Sequence, residues 1–216
     1  MIYTDIDDTL LTEVVNAVGG CNLQNGPWIA GGTARRLWHR LPWIDHDVDV
    51  FFPNVKSWQD AHRTMDILVG KQASELAHNS PKNLSVFGLE YKEWCPSKYV
   101  TTNATTFNVK ILNIKLRIQL IYRQYYKDLQ DLWATFDFTV CKFATDGHVV
   151  AADLAAINHC EQNRLSMNPH CQRKLSARRV IKYSLHGFNA DYDTIAELLK
   201  QRREMTLTDY GDDAYA

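Results

Sequence analysis

Asp47 and Asp49 flank a single valine in the run Asp47-Val48-Asp49-Val50-Phe51-Phe52. A strand has a period of two, so both carboxylates project from one face while Val48 and Val50 project from the other. Two neighbouring carboxylates repel, and the arrangement is costly unless cations sit between them. In a solvated loop such a pair would mean little. Here it lies among apolar residues, as in a buried strand. Gly31-Gly32-Thr33 precedes it, with Thr33 fourteen residues before Asp47. The glycines give a tight turn whose bare backbone can approach phosphates, after the short apolar segment Trp28-Ile29-Ala30. Ala34 to Leu41 reads as a helix whose N-terminal amides would face the same anion. A glycine turn for a triphosphate beside a carboxylate pair for magnesium is the equipment for moving a nucleotide out of an NTP.

The elements that would position these groups follow from hydrophobic periodicity. Asp8 to Val18 reads as a helix with Leu10, Leu11, Val14, Val15 and Val18 on one face, stopped by Gly19-Gly20. Pro53 ends the aspartate strand, and Ser57 is the expected N-cap of a helix carrying Trp58, Ala61, Met65 and Leu68. Residues 84–92, 99–111 and 114–122 read as strands; in the last, Leu116, Ile118 and Leu120 alternate with Arg117, Gln119 and Ile121. Tyr126 to Phe136 is expected as a helix and Asp137 to Ala144 as a strand. Helices are expected again from Leu175 to His186 and, capped by Asp191, from Tyr192 to Arg203. The seam lies near Asp153, where strands give way to helices. This divides the chain into a head (1–153), a helical neck (154–203) and an acidic, flexible tail (204–216).

The chain has 216 residues, enough for one large domain with a small helical appendage. No apolar run approaches the length of a membrane span, and the N-terminus is not a signal peptide, so a cytoplasmic, soluble protein is expected. Five cysteines at irregular spacing suit a reducing compartment. Net charge is near zero but unevenly placed. From Gln162 to Ala190 there is no acid, while Arg164, Arg173, Lys174, Arg178, Arg179 and Lys182 fall there. Such a stretch is either an electrostatic footprint for nucleic acid or a solvated helix face.

Asp137-Phe138-Thr139-Val140-Cys141-Lys142-Phe143-Ala144-Thr145-Asp146-Gly147 resembles the Asp-Phe-Thr stretch of the tRNA nucleotidyltransferase and bacterial poly(A) polymerase family. The other motifs resemble that family in order. Gly31-Gly32-Thr33-Ala34-Arg35 is similar to its glycine turn and Asp47-Val48-Asp49 to its metal-binding pair. Asp153-Leu154 is similar to the Asp-Leu after its strand. Arg179-Val180-Ile181-Lys182-Tyr183 with Gly187-Phe188 is similar to its neck helix. The resemblance implies an α+β fold: a polymerase-beta-type nucleotidyltransferase head, a mixed sheet with flanking helices, followed by a short helical neck. It covers residue 28 to about 200.

What the resemblance implies for chemistry is a transfer from ATP or CTP to a hydroxyl of a tRNA-like RNA 3′ end, releasing pyrophosphate. Asp47 and Asp49 would hold two magnesium ions, with manganese able to replace them. Gly31, Gly32, Thr33, Arg35 and Arg36 would hold the phosphates, with Asp137, Arg179 and Lys182 also contributing to the nucleotide site. Arg173, Lys174 and Arg178 would contact RNA. The chain departs from the pattern in three places. Phe136 stands where the family has an arginine, the neck lacks the usual acids before its arginines, and Arg117 stands where many relatives carry a third carboxylate. The last suggests a two-aspartate site. The family's helical body has no counterpart before Ala216, so a complete CCA-adding enzyme is not expected.

Four rival readings remain. A toxin-like transferase would modify a protein or small molecule, and an inert module would bind RNA or nucleotide without turnover. Asp5-Ile6-Asp7-Asp8-Thr9 mimics a haloacid-dehalogenase phosphatase signature, but Met1 to Thr4 are too few for the strand that signature needs; residues 5–9 read instead as a helix start. His159-Cys160 and His170-Cys171 could supply zinc ligands, without the usual close spacing.

Overall fold

The computed structural model describes residues 1–79, 94–171 and 173–204. Its strands are β1 (Ile2–Asp5), β2 (Trp28–Ala30), β3 (Val48–Phe51), β4 (Ser97–Val100), β5 (Ala104–Ile111), β6 (Ile114–Ile121), β7 (Phe143–Thr145), β8 (Val149–Ala152), β9 (Arg164–Leu165) and β10 (Asn189–Ala190). The first eight form one sheet in the order β1-β8-β7-β2-β3-β6-β5-β4, while β9 and β10 pair separately. Within the large sheet β3 and β6 run parallel and the other neighbours are antiparallel, so the sheet is mixed, as expected. The helices are α1 (Thr9–Ala17), α2 (Gly32–Trp38), α3 (Val55–Asn79), α4 (Leu129–Ala134), α5 (Leu154–Glu161), α6 (Ala177–Leu185) and α7 (Tyr192–Glu204). No helix of the described residues is long and apolar enough to cross a membrane.

The alternation of β3 sets up everything that follows. Val48 and Val50 are fully buried in the larger core cluster, with Leu11 and Val14 of α1, Ala61 and Met65 of α3, and Ile118 and Leu120 of β6. Phe51 turns to the opposite face. It packs against the second cluster, where Trp28 and Ala30 meet Leu129, Leu132 and Trp133 of α4. Asp49 shares that face by the period of the strand. Its cross-strand partner is Gln119.

Several elements differ from their sequence expectation, each for a local reason. Met1 to Thr4 do not fall short of a strand: β1 forms by pairing with β8, as an exposed edge. The helix start expected at residues 5–9 is confined to Asp8, which caps α1 by accepting from the Leu11 amide at 2.9 Å. α2 begins two residues earlier than expected and ends three earlier, at Trp38. α3 starts before Ser57, because the Asn54 side chain accepts from the Ser57 amide at 2.9 Å and serves as the cap. The strand expected over 99–111 is two strands, since Thr101 folds back onto Ala104. β5 and β6 join through Leu112 and Asn113, both at positive φ, a two-residue turn that suits the twist of a hairpin.

α4 is shorter than Tyr126–Phe136, because Asn168 bonds the carbonyls of Trp133, Ala134 and Phe136 and ends it. Asp137 to Ala144 is not one strand. Thr139–Cys141 is a 3-10 turn, pinned by the Thr139 amide donating to Ser166 O at 3.0 Å, and β7 follows. α6 begins at Ala177 rather than Leu175. α7 does start after an Asp191 cap, which accepts from the Thr194 amide at 2.9 Å. The strand expected over 84–92 and residues 205–216 of the acidic tail lie outside the described residues.

Candidate active site

The glycine turn and the aspartate pair are adjacent in space. Gly31 has φ 82°, a backbone state that side chains disfavour, and its amide donates to Phe143 O of β7 at 2.9 Å. A Cβ built on Gly31 or Gly32 would meet nothing within 4 Å, so the space above the turn is open. Buried Thr33 ties the turn to the pair, its hydroxyl donating to the Asp47 carbonyl at 2.9 Å.

Asp47 lies just before β3 and Asp49 within it. Burial, reinforced by the charge of Asp47, pushes the Asp49 carboxyl up to about 7, against the pull of Arg179 and Lys182. A carboxylate so reluctant to ionise gains from a cation placed against it. Arg117 donates to Asp47 Oδ1 at 3.1 Å, and Gln119 reaches Oδ2 at 3.4 Å. The Arg117–Asp47 pair is well exposed on both sides, so it contributes at most about 1 kcal/mol and a divalent ion could displace it cheaply. Two hard oxygen ligands fit magnesium or manganese, which take their remaining coordination from water and phosphates. Among the described residues no group of three or more His, Cys, Asp or Glu gathers to hold a metal, so His159-Cys160 and His170-Cys171 do not converge. His159 Nδ1 instead contacts the Thr139 hydroxyl at 2.6 Å.

The arginines fall in three different settings. Arg35 is buried, its guanidinium 5.0 Å from the Phe188 ring centre and 5.4 Å from that of Tyr183. Its Nη1 has no hydrogen-bond partner among the described residues. Arg36 donates to Pro42 O at 2.9 Å and thereby holds the loop leading to Asp47. Arg179 is bound to Asp137 through both Nε and Nη2, the latter at 2.9 Å from Oδ1. The charges of α6 do not all face outward. Val180 and Tyr183 form the inner face with half-buried Arg179, while Ile181 and Leu185 are 61% and 82% exposed. Helical spacing permits either assignment, and the Asp137 carboxylate decides which face turns in. Arg173, Lys174, Arg178 and Lys182 are exposed.

Histidines that periodicity did not single out complete the surroundings. The rings of His46 and His186 lie edge to face at 6.4 Å. Burial holds both below the ordinary imidazole range; Arg36 adds to this at His46, and Arg35 and Lys182 at His186. His46 thus lies beside Asp47, and the charges of Arg179 and Lys182 bear on Asp49. His46, next to Asp47 in the chain, was findable by adjacency. Gln119 was findable from the alternation that exposes Arg117. The role of Asn168 left no signal in the sequence.

The model of the Gabija anti-defense 2 family matches residues 5–163. The chain belongs to that family. The family shown is thus not the tRNA nucleotidyltransferase family, and the resemblance to the latter is one of fold. Similar solved structures are a Thermotoga maritima CCA-adding enzyme complexed with tRNA (15% identity, TM-score 0.52, covering 94% of this chain and 46% of that one) and CCA-adding enzymes with CTP (14%, 0.54, 94% and 47%) and with ATP (13%, 0.53, 97% and 47%). The fold of this family member is the nucleotidyltransferase head, and the chain spans about half the length of those structures. No curated protein matches it.

Proposed function

We propose that the chain transfers a nucleotide from an NTP to an acceptor hydroxyl. The observation that carries this reading is the aspartate pair at the start of β3, with Asp49 pushed up to about 7, beside an open glycine turn. Asp47 and Asp49 would hold magnesium or manganese. A divalent ion held there would lower the pKa of the attacking hydroxyl and offset the charge of the leaving pyrophosphate. The acceptor oxygen bonds to the α-phosphorus as the bond to the bridging oxygen breaks. Pyrophosphate leaves with that electron pair, and the hydroxyl proton passes to water. Backbone at Gly31, Gly32 and Thr33 approaches the phosphates. Lys182, which acts on Asp49 electrostatically, and the unpartnered Nη1 of Arg35 supply positive charge. Asp137 and Arg179 join neck to head at the edge of the nucleotide site.

The acceptor we favour is an RNA 3′ end, with exposed Arg173, Lys174 and Arg178 of the acid-free stretch as phosphate contacts. The name of the matched family supports a second setting, in which transfer acts against a defence called Gabija and the acceptor is a protein of that defence. The test is incubation with each labelled NTP and manganese or magnesium, with total RNA or total protein as acceptor. Label transferred by wild type and lost in Asp47→Ala supports the reading. Absence of label and of pyrophosphate release with every NTP would end it.

A further inference from the structure

The face of the sheet that carries Asp49 continues across β6 and β5 as a basic surface. On β6 it bears Lys115, Arg117 and Gln119; their cross-strand partners on β5 are Lys110, Asn108 and Thr106. Lys110 and Lys115 stand directly opposite, both exposed. Like charges in that register destabilise a hairpin. No acid on these two strands offsets them, and Asp47 at the far end is engaged by Arg117. Lys110 lies 4.9 Å from the Trp94 ring centre, so an aromatic borders the same surface. A cleft of about 370 Å³ opens here, with Asp45, His46 and Asp47 at its acidic end and Asn108, Lys115, Arg117 and Trp94 along its walls, and Lys110 stands just beyond it, opposite Lys115.

We propose that this cleft seats a single-stranded nucleic acid, its phosphates along Lys110, Lys115 and Arg117 and its terminal hydroxyl toward Asp47. The inference rests on the nucleotidyl-transfer reading and says which surface seats the acceptor of that site. Lys115 and Arg117, two apart on β6, are separated by about 7 Å, which suits successive phosphates of an extended strand, and Lys110 flanks the first of them from β5. The acids sit at the end where the hydroxyl would arrive, and the β5–β6 end, with Lys110, Lys115 and Trp94, has the positive charge and bordering aromatic that sequence-tolerant single-strand binders use. When phosphate reaches Arg117, the guanidinium exchanges one anionic partner for another and frees Asp47 Oδ1.

The test is fluorescence anisotropy of a labelled oligouridylate across a salt series, without NTP or metal. Lys110→Gln/Lys115→Gln should bind about tenfold more weakly. Its log–log salt slope should be shallower by about 1.4, for two lost contacts at about 0.7 each. A charge-matched control, Lys56→Gln/Lys71→Gln on α3, should match wild type, and circular dichroism should show all three folded. Wild-type affinity and slope in the hairpin variant, or equal loss in the control, would overturn the proposal. So would a wild-type protein that binds no oligonucleotide at low salt, and this last result would favour a protein acceptor. Pyrophosphate release, measured separately, reports on the parent reading. Release that persists while oligonucleotide binding fails overturns the cleft alone.

Discussion

Arg179 grips the Asp137 carboxylate with two nitrogens, joining α6 to the segment between α4 and β7. Burial and the Arg179 charge bear on every group around them, including Asp49 and Tyr183. The pair is a mechanical joint, so removing one half leaves a charge in a partly buried place without its partner. Asp137→Asn and Arg179→Gln should each cost about 1–3 kcal/mol in urea unfolding. A Tm equal to wild type in both would show that the joint bears no load.

Removal of either aspartate should stop chemistry without unfolding the head. Asp47→Ala and Asp49→Ala are each expected to lower nucleotide transfer by at least about 100-fold, the scale on which loss of charge stabilisation in a transition state is felt. Circular dichroism should remain that of wild type. Normal turnover in both variants would remove the aspartates from the mechanism.

Asp49 also sets a pH signature. It holds its proton up to about pH 7 in the folded chain, against 3.8 ordinarily. Between those values the folded state binds more protons than the unfolded state, so this group lowers stability as pH rises through the window. Asp49→Asn should therefore stabilise the metal-free protein by roughly 2–4 kcal/mol at pH 8 and leave it unchanged at pH 4. Manganese should bind wild type more tightly as pH rises through 7 and should lose that dependence in the variant. Parallel Tm profiles of the two proteins from pH 4 to 8 would refute this.

The aspartates at the N-terminus should separate cleanly. Asp8 caps α1 with Oδ1 and accepts from Trp43 Nε1 on Oδ2 at 2.8 Å, so Asp8→Ala should cost about 1–2 kcal/mol. Asp5 ends an exposed edge strand, and Asp5→Asn should stay within about 0.5 kcal/mol of wild type. Denaturation midpoints of the two variants decide the matter, and a phosphatase activity lost in Asp5→Asn would reverse their ranking.

In the acid-free stretch, Arg173→Gln/Arg178→Gln changes exposed residues only and spares the Arg179 joint. If RNA is the acceptor, this variant should bind it more weakly with a shallower salt slope. An unchanged slope by filter binding would take Arg173 and Arg178 out of RNA recognition.

The contrast between Asp49 and Arg179 explains what could be read from the sequence. Alternation over Asp47 to Phe52 is local, so strand, face and carboxylate pair were all legible there. So was α1, whose cap and apolar face lie within eleven residues, Asp8 to Val18. The inward turn of Arg179 depends on a carboxylate 42 residues earlier in the chain, and the broken strand after Asp137 depends on Ser166 and Asn168. Such partners are set by tertiary contact and leave no period. β1 was missed because it is short, exposed and without alternation, and forms by pairing with β8.

The parallel pairing of β3 with β6 bears on the order in which the site comes into being. Asp47 meets Arg117 only across a separation of seventy residues, after α3 and the whole β4–β5 passage. Long-range strand pairing is slow, because the loop must close before any contact rewards it. A nascent chain therefore carries both aspartates on an uncovered strand edge well before their neighbours are synthesised. Ion binding and reactivity should emerge late, in one cooperative step, when β6 docks.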